Sequence, residues 1–409
     1  MVGAGLCISA LLNGLYSQAY GAYVVLLREE YGWSKTMLSS AYSMGQAESG
    51  VIGPLQGWLT DRFGPRAVVR AGLVIMGAGF VGCSRIDSPL TFFLAFFVMS
   101  LGASMAGFLS LTVAVVNWFE RKRALAIGLL TTGVAIGGLL VPLTVHLLEN
   151  WGWRPTAALT GVIVIVVGVP VAQFLYHRPE DFGHQVDGGP RIDPVVARKR
   201  RLAMRAAVNV TTGVDFTLAE AARTRQFWLI SLGHGSALLI VSAVTVHLVV
   251  HVHENLGYSL GFAGFVVALL TAAQAAGTIG GGYLGDRMSK RRIAIVCMFV
   301  HAAALLLLAF ATATWMVVAF AIAHGLAWGV RGPLMTAIRA DYFGRAHFGK
   351  ILGASQPIVM AGTALGPILA GVLADRTGNY EVGFTVLAAL AAAGSLFFVL
   401  ATKPHVPVR

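Results

Sequence analysis

Apolar residues run along this chain in long stretches, broken at intervals by short clusters of charge. A helix needs about 20 apolar residues to cross a bilayer. Twelve runs of that size can be drawn, at about 3–27, 36–60, 67–86, 90–118, 124–147, 155–176, 226–250, 260–284, 293–312, 315–340, 350–374 and 382–402. Between the second and third stands Gly57-Trp58-Leu59-Thr60-Asp61-Arg62-Phe63-Gly64-Pro65-Arg66. Between the eighth and ninth stands a near copy, Gly282-Tyr283-Leu284-Gly285-Asp286-Arg287-Met288-Ser289-Lys290-Arg291. Gly, Leu, Asp, Arg and the final Arg match in register, and the copies begin 225 residues apart (282 against 57) in a chain of 409. A charged turn that recurs half a chain later predicts two related halves. The expected fold is an all-α membrane protein: twelve transmembrane helices in two pseudo-symmetric six-helix bundles, residues 1–176 and 226–409, joined by the hydrophilic segment 177–225.

Composition agrees. The chain is 56% hydrophobic and 12% charged, whereas soluble domains carry about 25% charged residues. Such a chain cannot cover a water-facing surface. Its 49 glycines suit helices that approach closely in lipid. Cys7, Cys83 and Cys297 fall in apolar runs without metal-ligand spacing and read as small buried hydrophobes. No cleavable signal peptide is visible: the first run begins at residue 2 without a basic flank and is long enough to span.

The net charge of +12 raises the question of nucleic acid. Sorting Lys and Arg by side answers it. Of the 30, 24 fall on the side that holds both copies of the turn, and five (Arg28, Lys35, Arg85, Arg154, Arg376) fall on the other. The remaining one, Arg331, lies inside a span. The bias marks the first side as cytoplasmic, with both termini there, in the cell (inner) membrane. The charge then reports orientation and implies no nucleic-acid partner. Within the linker, about Asp193 to Met204 reads equally as a basic helix on anionic headgroups or as a solvated connector.

The turn Gly57-x-Leu59-x-Asp61-Arg62-x-Gly64-x-Arg66, its echo, the twelve spans and the mid-chain loop together resemble the major facilitator superfamily across the whole chain. Within it, Tyr31-Gly32-Trp33-Ser34 followed by Leu38-Ser39, Gly366-Pro367, and Asp341-Tyr342-Phe343-Gly344-Arg345 resemble the monocarboxylate-porter and oxalate:formate-antiporter branch, in its bacterial form. The resemblance implies alternating access, with the turns (Gly57, Asp61, Arg62, Arg66; Gly282, Asp286, Arg287, Arg291) holding and releasing a conformation. A well-made loop rich in positive charge is the plainer reading. Gly57 is expected to let two helix backbones meet, and Asp61 to pair with basic groups or a helix N-terminus. A third string, Gly371-Val372-Leu373-Ala374-Asp375-Arg376, ends the eleventh span on the external side and reads as a helix end only. The branch carries a Lys on helix 1, where this chain has Gly21, and an Asp and an Arg on helix 8, where it has Gln274 and Thr278. Fold and mechanism carry over; substrate does not.

Arg331 lies near the middle of the tenth span. An Arg at that depth costs about 2.5–3.5 kcal/mol on insertion scales and should face a polar cavity or a partner. His324, Trp328, Arg331 and Met335 are spaced by four, three and four, and so share one helical face. A guanidinium can grip a carboxylate with two parallel hydrogen bonds. The same Arg could instead sit in a structural ion pair. Gly325, Gly329, Gly332 and Pro333 are expected to let the backbone bend there. The resemblance implies that helices 1, 4, 7 and 10 line the cavity, which makes His234, Tyr16 and Tyr20 further substrate-binding candidates beside Arg331, His324 and Trp328. Tyr16, Tyr20 and Tyr23 form a stripe that reads equally as packing. Glu48 is the main carboxylate deep in a span, a proton-coupling candidate or a structural partner. His247, His251 and His253 cluster at the outer end of the seventh span, where interface histidines are the expectation and a wet vestibule the alternative; no metal site is expected. Asn117 and Trp118 read as interfacial.

No phosphate loop, catalytic arrangement or cofactor signature is present, so no enzyme and no cofactor are expected. The reading is a secondary transporter, monomeric as a working unit, moving a small organic anion with protons across the bilayer. A drug or metabolite exporter of the same fold, and a non-transporting sensor or partner-binding subunit, are the alternatives.

Overall fold

The computed structural model describes residues 1–119, 123–177, 179, 216–344 and 347–404. Among these residues it is all helix, without a strand. In chain order, α1 runs through Val2–Leu11, Leu12–Gln18 and Tyr20–Tyr31, the middle piece wound wider in π-type turns. Then come α2 (Lys35–Phe63), α3 (Pro65–Cys83), α4 (Pro89–Ala106 and Phe108–Trp118), α5 (Arg123–Leu139 and Val141–Trp151) and α6 (Trp153–Ile163, Val164–Gly168 and Val169–Ala172). The second set is α7 (Arg225–Val250 and His251–Asn255), α8 (Leu260–Arg287), α9 (Lys290–Ala309), α10 (Thr314–Phe343), α11 (Phe348–Thr377) and α12 (Glu381–Leu400). Ten of these twelve are long and apolar enough to cross a membrane. The other two are α1, interrupted by a turn at Ala19, and α2, diluted by Gln46, Glu48 and Gln56.

Local chemistry sets the ends. Ser34, Ser88, Thr224 and Ser259 cap α2, α4, α7 and α8 by accepting a backbone N–H two or three residues on. Gly32 (φ 66°) and Gly378 (φ 80°) end α1 and α11 in the left-handed region that glycine adopts without strain.

The helices pack as two bundles with the same internal pairings. In the first, α1 lies on α5, α2 on α4, and α3 on α4 and α6; in the second, α7 lies on α11, α8 on α10, and α9 on α10 and α12. Each pairing recurs six helices on, which is the pseudo-symmetry that the repeated turn predicts. The bundles meet through α2 with α11, α5 with α8, and α1 with α7.

They are joined at one end. At the end away from the repeated turns, Arg28 Nε donates to Glu254 at 2.8 Å, Lys35 Nζ lies 3.7 Å from the same carboxylate, and Gly261 N donates to Glu149 at 3.1 Å. Deeper in, Ser43 Oγ donates to the Ala364 carbonyl at 2.6 Å. Asp375 is central. Its carboxylate accepts from Lys35 N (3.0 Å), Thr36 N (2.8 Å) and Thr36 Oγ1 (2.6 Å), and so caps α2 from the other bundle. The string Gly371–Arg376 therefore does more than end a helix, as the sequence reading had it. It forms a latch, and the absence of basic residues around it concealed this, because its partners are backbone groups. A Cβ on Gly371 would lie 2.9 Å from Ser39 Oγ and 3.1 Å from the Lys35 carbonyl, so glycine is what lets the helices meet. Among the described residues, no hydrogen bond or ion pair joins the bundles at the end that bears the turns.

The turns are braced within their own bundles. Arg66 Nε donates to the Leu175 carbonyl at 3.1 Å and its guanidinium covers the Tyr176 ring at 4.9 Å. Asn117 and Trp118, expected at the interface, tie α4 to the end of α6 through the carbonyls of His177 and Tyr176, both at 3.1 Å. Arg62 rests over the Trp58 and Phe63 rings. In the second copy, Arg287 stacks on Tyr283, Arg291 reaches the Val399 carbonyl at 3.5 Å, and Lys290 pairs with Asp341 at 2.8 Å. The close approach expected at Gly57 is not made: a Cβ there, or on Gly282, would meet nothing within 4 Å. With the bundles unjoined at this end, no partner helix is near. Asp286 is exposed and in no ion pair among the described residues. The side chain of Asp61, the run Arg121-Lys122 and the linker around Asp193–Met204 lie outside the described residues.

Candidate functional site

α10 carries the site. It stays helical through Pro333. Gly325 and Gly329 serve packing, seating α10 against the Leu270 and Gln274 carbonyls of α8. The face of His324, Trp328, Arg331 and Met335 points into the second bundle. His324 and Met335 are 0% exposed and Arg331 is 1% exposed. Trp328 is half-buried.

Arg331 has no ion-pair partner among the described residues, and its Nε and Nη1 find no acceptor. The structural ion pair held open by the sequence is not formed. Two buried, charged N–H groups without an acceptor are costly to leave so.

Other cations and imidazoles surround it. His324 Nδ1 lies 3.0 Å from Nδ1 of His301 on α9, the rings 4.4 Å apart. Neither ring's Nε2 has a partner among the described residues. His234, on α7, accepts from Arg339 Nη2 at 3.4 Å, while Arg339 Nη1 donates to the Met335 carbonyl at 2.9 Å. Cys297 is buried on α9, one turn before His301. The stretch from His324 to Arg339 thus gathers two buried arginines and three histidines, with no carboxylate bonded to them among the described residues: a basic seam inside the second bundle.

Three members were missed in the sequence. Arg339 was counted with the cytoplasmic loop charges, yet it continues the Arg331–Met335 stripe by four residues and is 2% exposed. His301 went unremarked, and Cys297 passed as packing. The spacing of His301, one turn after Cys297, was the available signal.

Other candidates lie elsewhere. Tyr20 donates its hydroxyl to the Leu38 carbonyl at 2.6 Å and packs on Tyr42 and Phe96; Tyr16 packs on Phe96. Both sit inside the first bundle, apart from the Arg331 group, around a cavity of about 20 Å³ that holds roughly one water. Glu48 is also in the first bundle; its Oε2 accepts from Ser100 Oγ at 2.8 Å and its Oε1 has no partner among the described residues. The seventh-span histidines line neither a vestibule nor the interface. His247 is 0% exposed and bonded to Ser39 Oγ, Tyr380 OH and the Pro367 carbonyl, a seam between bundles. His251 is buried against the Leu308 carbonyl, and only His253 nears water, 3.6 Å from Glu29.

The departures from the branch also have a structural account. A Cβ on Gly21 would lie 3.0 Å from the Val246 carbonyl and 3.2 Å from Val249 Cβ, so the seam between α1 and α7 leaves no room for a lysine there. Gln274 Oε1 is buried without a partner among the described residues, and Thr278 Oγ1 donates to the Gln274 carbonyl of its own helix at 2.9 Å. The two arginines that this chain buries most deeply, Arg331 and Arg339, lie on α10.

Two six-helix bundles of apolar helices, joined at one end and with buried cations inside the second, describe a multi-pass membrane protein built in two related halves. The profile of the Major Facilitator Superfamily matches residues 6–250 and 230–409, and the chain belongs to that family. Monocarboxylate transporter 13 of Rattus norvegicus is 26% identical over 410 residues, covering 97% of this chain and 86% of the relative. The oxalate:formate antiporter of Oxalobacter formigenes is 24% identical over 394 residues, covering 93% and 86%. A bacterial homologue of the human lysosomal transporter Spinster, solved in an inward-facing and occupied conformation, superposes with a TM-score of 0.74 at 17% identity, covering 97% of this chain and 95% of that one.

Proposed function

We propose that this chain moves a small organic anion, a monocarboxylate or a related carboxylate, across the cell membrane together with protons. Residues 1–176 and 226–409 act as two units rocking about a mid-membrane site, with 177–225 as their cytoplasmic connector. Lys and Arg gather at the end bearing the turns, so that end is cytoplasmic and this conformation opens inward. The turns then serve to close the inner end in the opposite state.

One observation carries the substrate class: Arg331, fully buried, with Nε and Nη1 unmatched and no acid beside it. A carboxylate can pair with either edge of the guanidinium, Nε with Nη2 or Nη1 with Nη2, and neutralises the charge. His324, Trp328, His234 and Arg339 complete the pocket, the aromatic ring suiting an apolar tail. Sequence relatives that bear the names of monocarboxylate transporter and oxalate:formate antiporter support the same class. Protons enter as the coupling ion, with Glu48 one candidate carrier.

Uptake of radiolabelled formate, lactate and oxalate into proteoliposomes, with an imposed pH gradient, tests this. Loss of a charged hydrogen-bonding partner costs about 1.5–3 kcal/mol, so Arg331→Ala is expected to lower uptake about 10- to 100-fold. Unchanged carboxylate uptake in Arg331→Ala removes the assignment. Competition by lipophilic cations and none by carboxylates identifies an exporter instead.

A further inference from the structure

The contact between His301 and His324 joins α9 to α10 through two imidazoles rather than through apolar side chains. Both rings are 0% exposed, they meet Nδ1 to Nδ1 at 3.0 Å, and neither Nε2 has a partner among the described residues. Neutral rings make this contact in one way. One ring carries its proton on Nδ1 and donates it; the other accepts on Nδ1 and carries its proton on Nε2. The first ring's Nε2 is then a bare acceptor and the second ring's Nε2–H an unused donor. A proton that adds to the bare Nε2 makes that ring an imidazolium, which goes on donating through Nδ1. One proton enters, one positive charge is gained, and the contact between the rings survives.

The charged group that acts on this pair is Arg331, from α10. Arg339 lies fifteen residues beyond His324 on the same helix, beside His234 of α7, and Cys297 precedes His301 by one turn on α9. At this depth α8, α11 and α12 bring no charged side chain, their charged residues lying toward the helix ends. Arg331 follows His324 by seven residues on the same face, about 10 Å along the axis. With the pocket empty, a proton on the pair meets the Arg331 charge with nothing to offset it. With a carboxylate on Arg331, that charge is offset.

Resting on the anion reading above, we infer that the His301–His324 pair carries the coupled proton, and that proton and anion each promote the binding of the other at Arg331. Linkage requires the effect to be reciprocal, and coupled sites ordinarily shift one another's affinity about 5- to 150-fold. For a monocarboxylate the loaded pocket gains one proton and one negative charge, so the cycle carries no net charge. His301 and His324 thereby take the place of the acidic and basic residues that the branch keeps on helices 1 and 8.

Proteoliposomes loaded with the full-length protein separate the possibilities. With formate, lactate and oxalate as probes, an inward proton gradient should drive accumulation in the parent, without response to membrane potential for the two monocarboxylates. His301→Gln should cut gradient-driven accumulation at least tenfold while lowering exchange of the same probe across equal pH far less; His324→Gln, which also touches the anion site, and Arg331→Ala should lower both. A substrate-independent readout is 15N NMR of the imidazoles. Two resonances should titrate together in the parent, and each single substitution should uncouple the survivor. Loss of the gradient response in Glu48→Gln, with its retention in both histidine variants, assigns the proton to Glu48 and overturns the inference. So does independent titration of the two rings. Coupled titration with no carboxylate flux at all keeps the shared proton and sinks the anion reading instead.

Discussion

Replacing Asp375 takes away the carboxylate that caps α2 across the bundle seam. It accepts three hydrogen bonds, from Lys35 N at 3.0 Å, Thr36 N at 2.8 Å and Thr36 Oγ1 at 2.6 Å. In a dry site each bond to a charged acceptor is worth about 1.5–3 kcal/mol. Asp375 stands at the water's edge, and water takes over its partners once the seam opens, so the sum is sharply discounted. An anion at an exposed helix N-terminus contributes about 0.3–1 kcal/mol, and a lost cap about 1 kcal/mol. About 2 kcal/mol is therefore the expected bias that Asp375→Ala removes from the conformation closed at this end, a shift of roughly 30-fold in the population ratio. Asp375→Asn keeps one acceptor oxygen and should shift the ratio about fivefold, near 1 kcal/mol. Spin labels on Asp87→Cys and Thr312→Cys report the separation of the bundles at this end by pulsed electron resonance, in a Cys7→Ser background, since Cys83 and Cys297 are buried. The long-distance population should rise in the order Asp375→Asn, then Asp375→Ala. An unchanged distribution in Asp375→Ala refutes the latch, because it means water matches these bonds fully in the open state.

Three further outcomes follow from the packing. Gly371→Val should also favour separation at the same end, because its Cβ would crowd Ser39 Oγ and the Lys35 carbonyl at 2.9 and 3.1 Å; a label pair that reports normal closure would show that the seam can shift to absorb it. Ser100→Ala leaves Glu48 with neither oxygen bonded and should lower stability by about 1–3 kcal/mol, read as a lower melting temperature in detergent. Adding Glu48→Gln should recover part of that loss, and strict additivity of the two would break the link. Trp118→Phe forfeits the bond to the Tyr176 carbonyl and should cost about 0.5–1.5 kcal/mol, measured the same way; a melting temperature equal to the parent's would show that the bond adds nothing.

The sequence revealed most of the architecture because lipid leaves few alternatives. With no water in the bilayer core, a spanning segment must satisfy its own backbone as a helix, so apolar runs translate directly into α1 to α12, and the repeated turn sets their six-helix period. Arg331 was legible for the same reason: a charge in an apolar run has few harmless explanations. The latch was not legible, since Asp375 works through backbone N–H groups that no side-chain pattern records. Nor was the histidine pair, because His301 and His324 lie on different helices and only packing sets their rings 3.0 Å apart. The stripe of Tyr16 and Tyr20 was legible from periodicity, but not its setting: it lines a small cavity against Phe96 inside the first bundle, apart from Arg331.

The two buried arginines of α10 also bear on how the chain is made. Arg331, near mid-span, costs about 2.5–3.5 kcal/mol on translocon scales, and Arg339 adds a second charge nearer the helix end, so Thr314–Phe343, with Pro333 inside it, is the least apolar of the ten spans. Among the described residues, the partner that another helix supplies to these arginines is His234 on α7, which accepts from Arg339. That helix precedes α10 in the chain and emerges from the ribosome first, so the order of synthesis offsets part of what the hydropathy of α10 lacks. Moving α7 behind α12 by circular permutation would leave the cations in place but remove His234 at the moment of insertion.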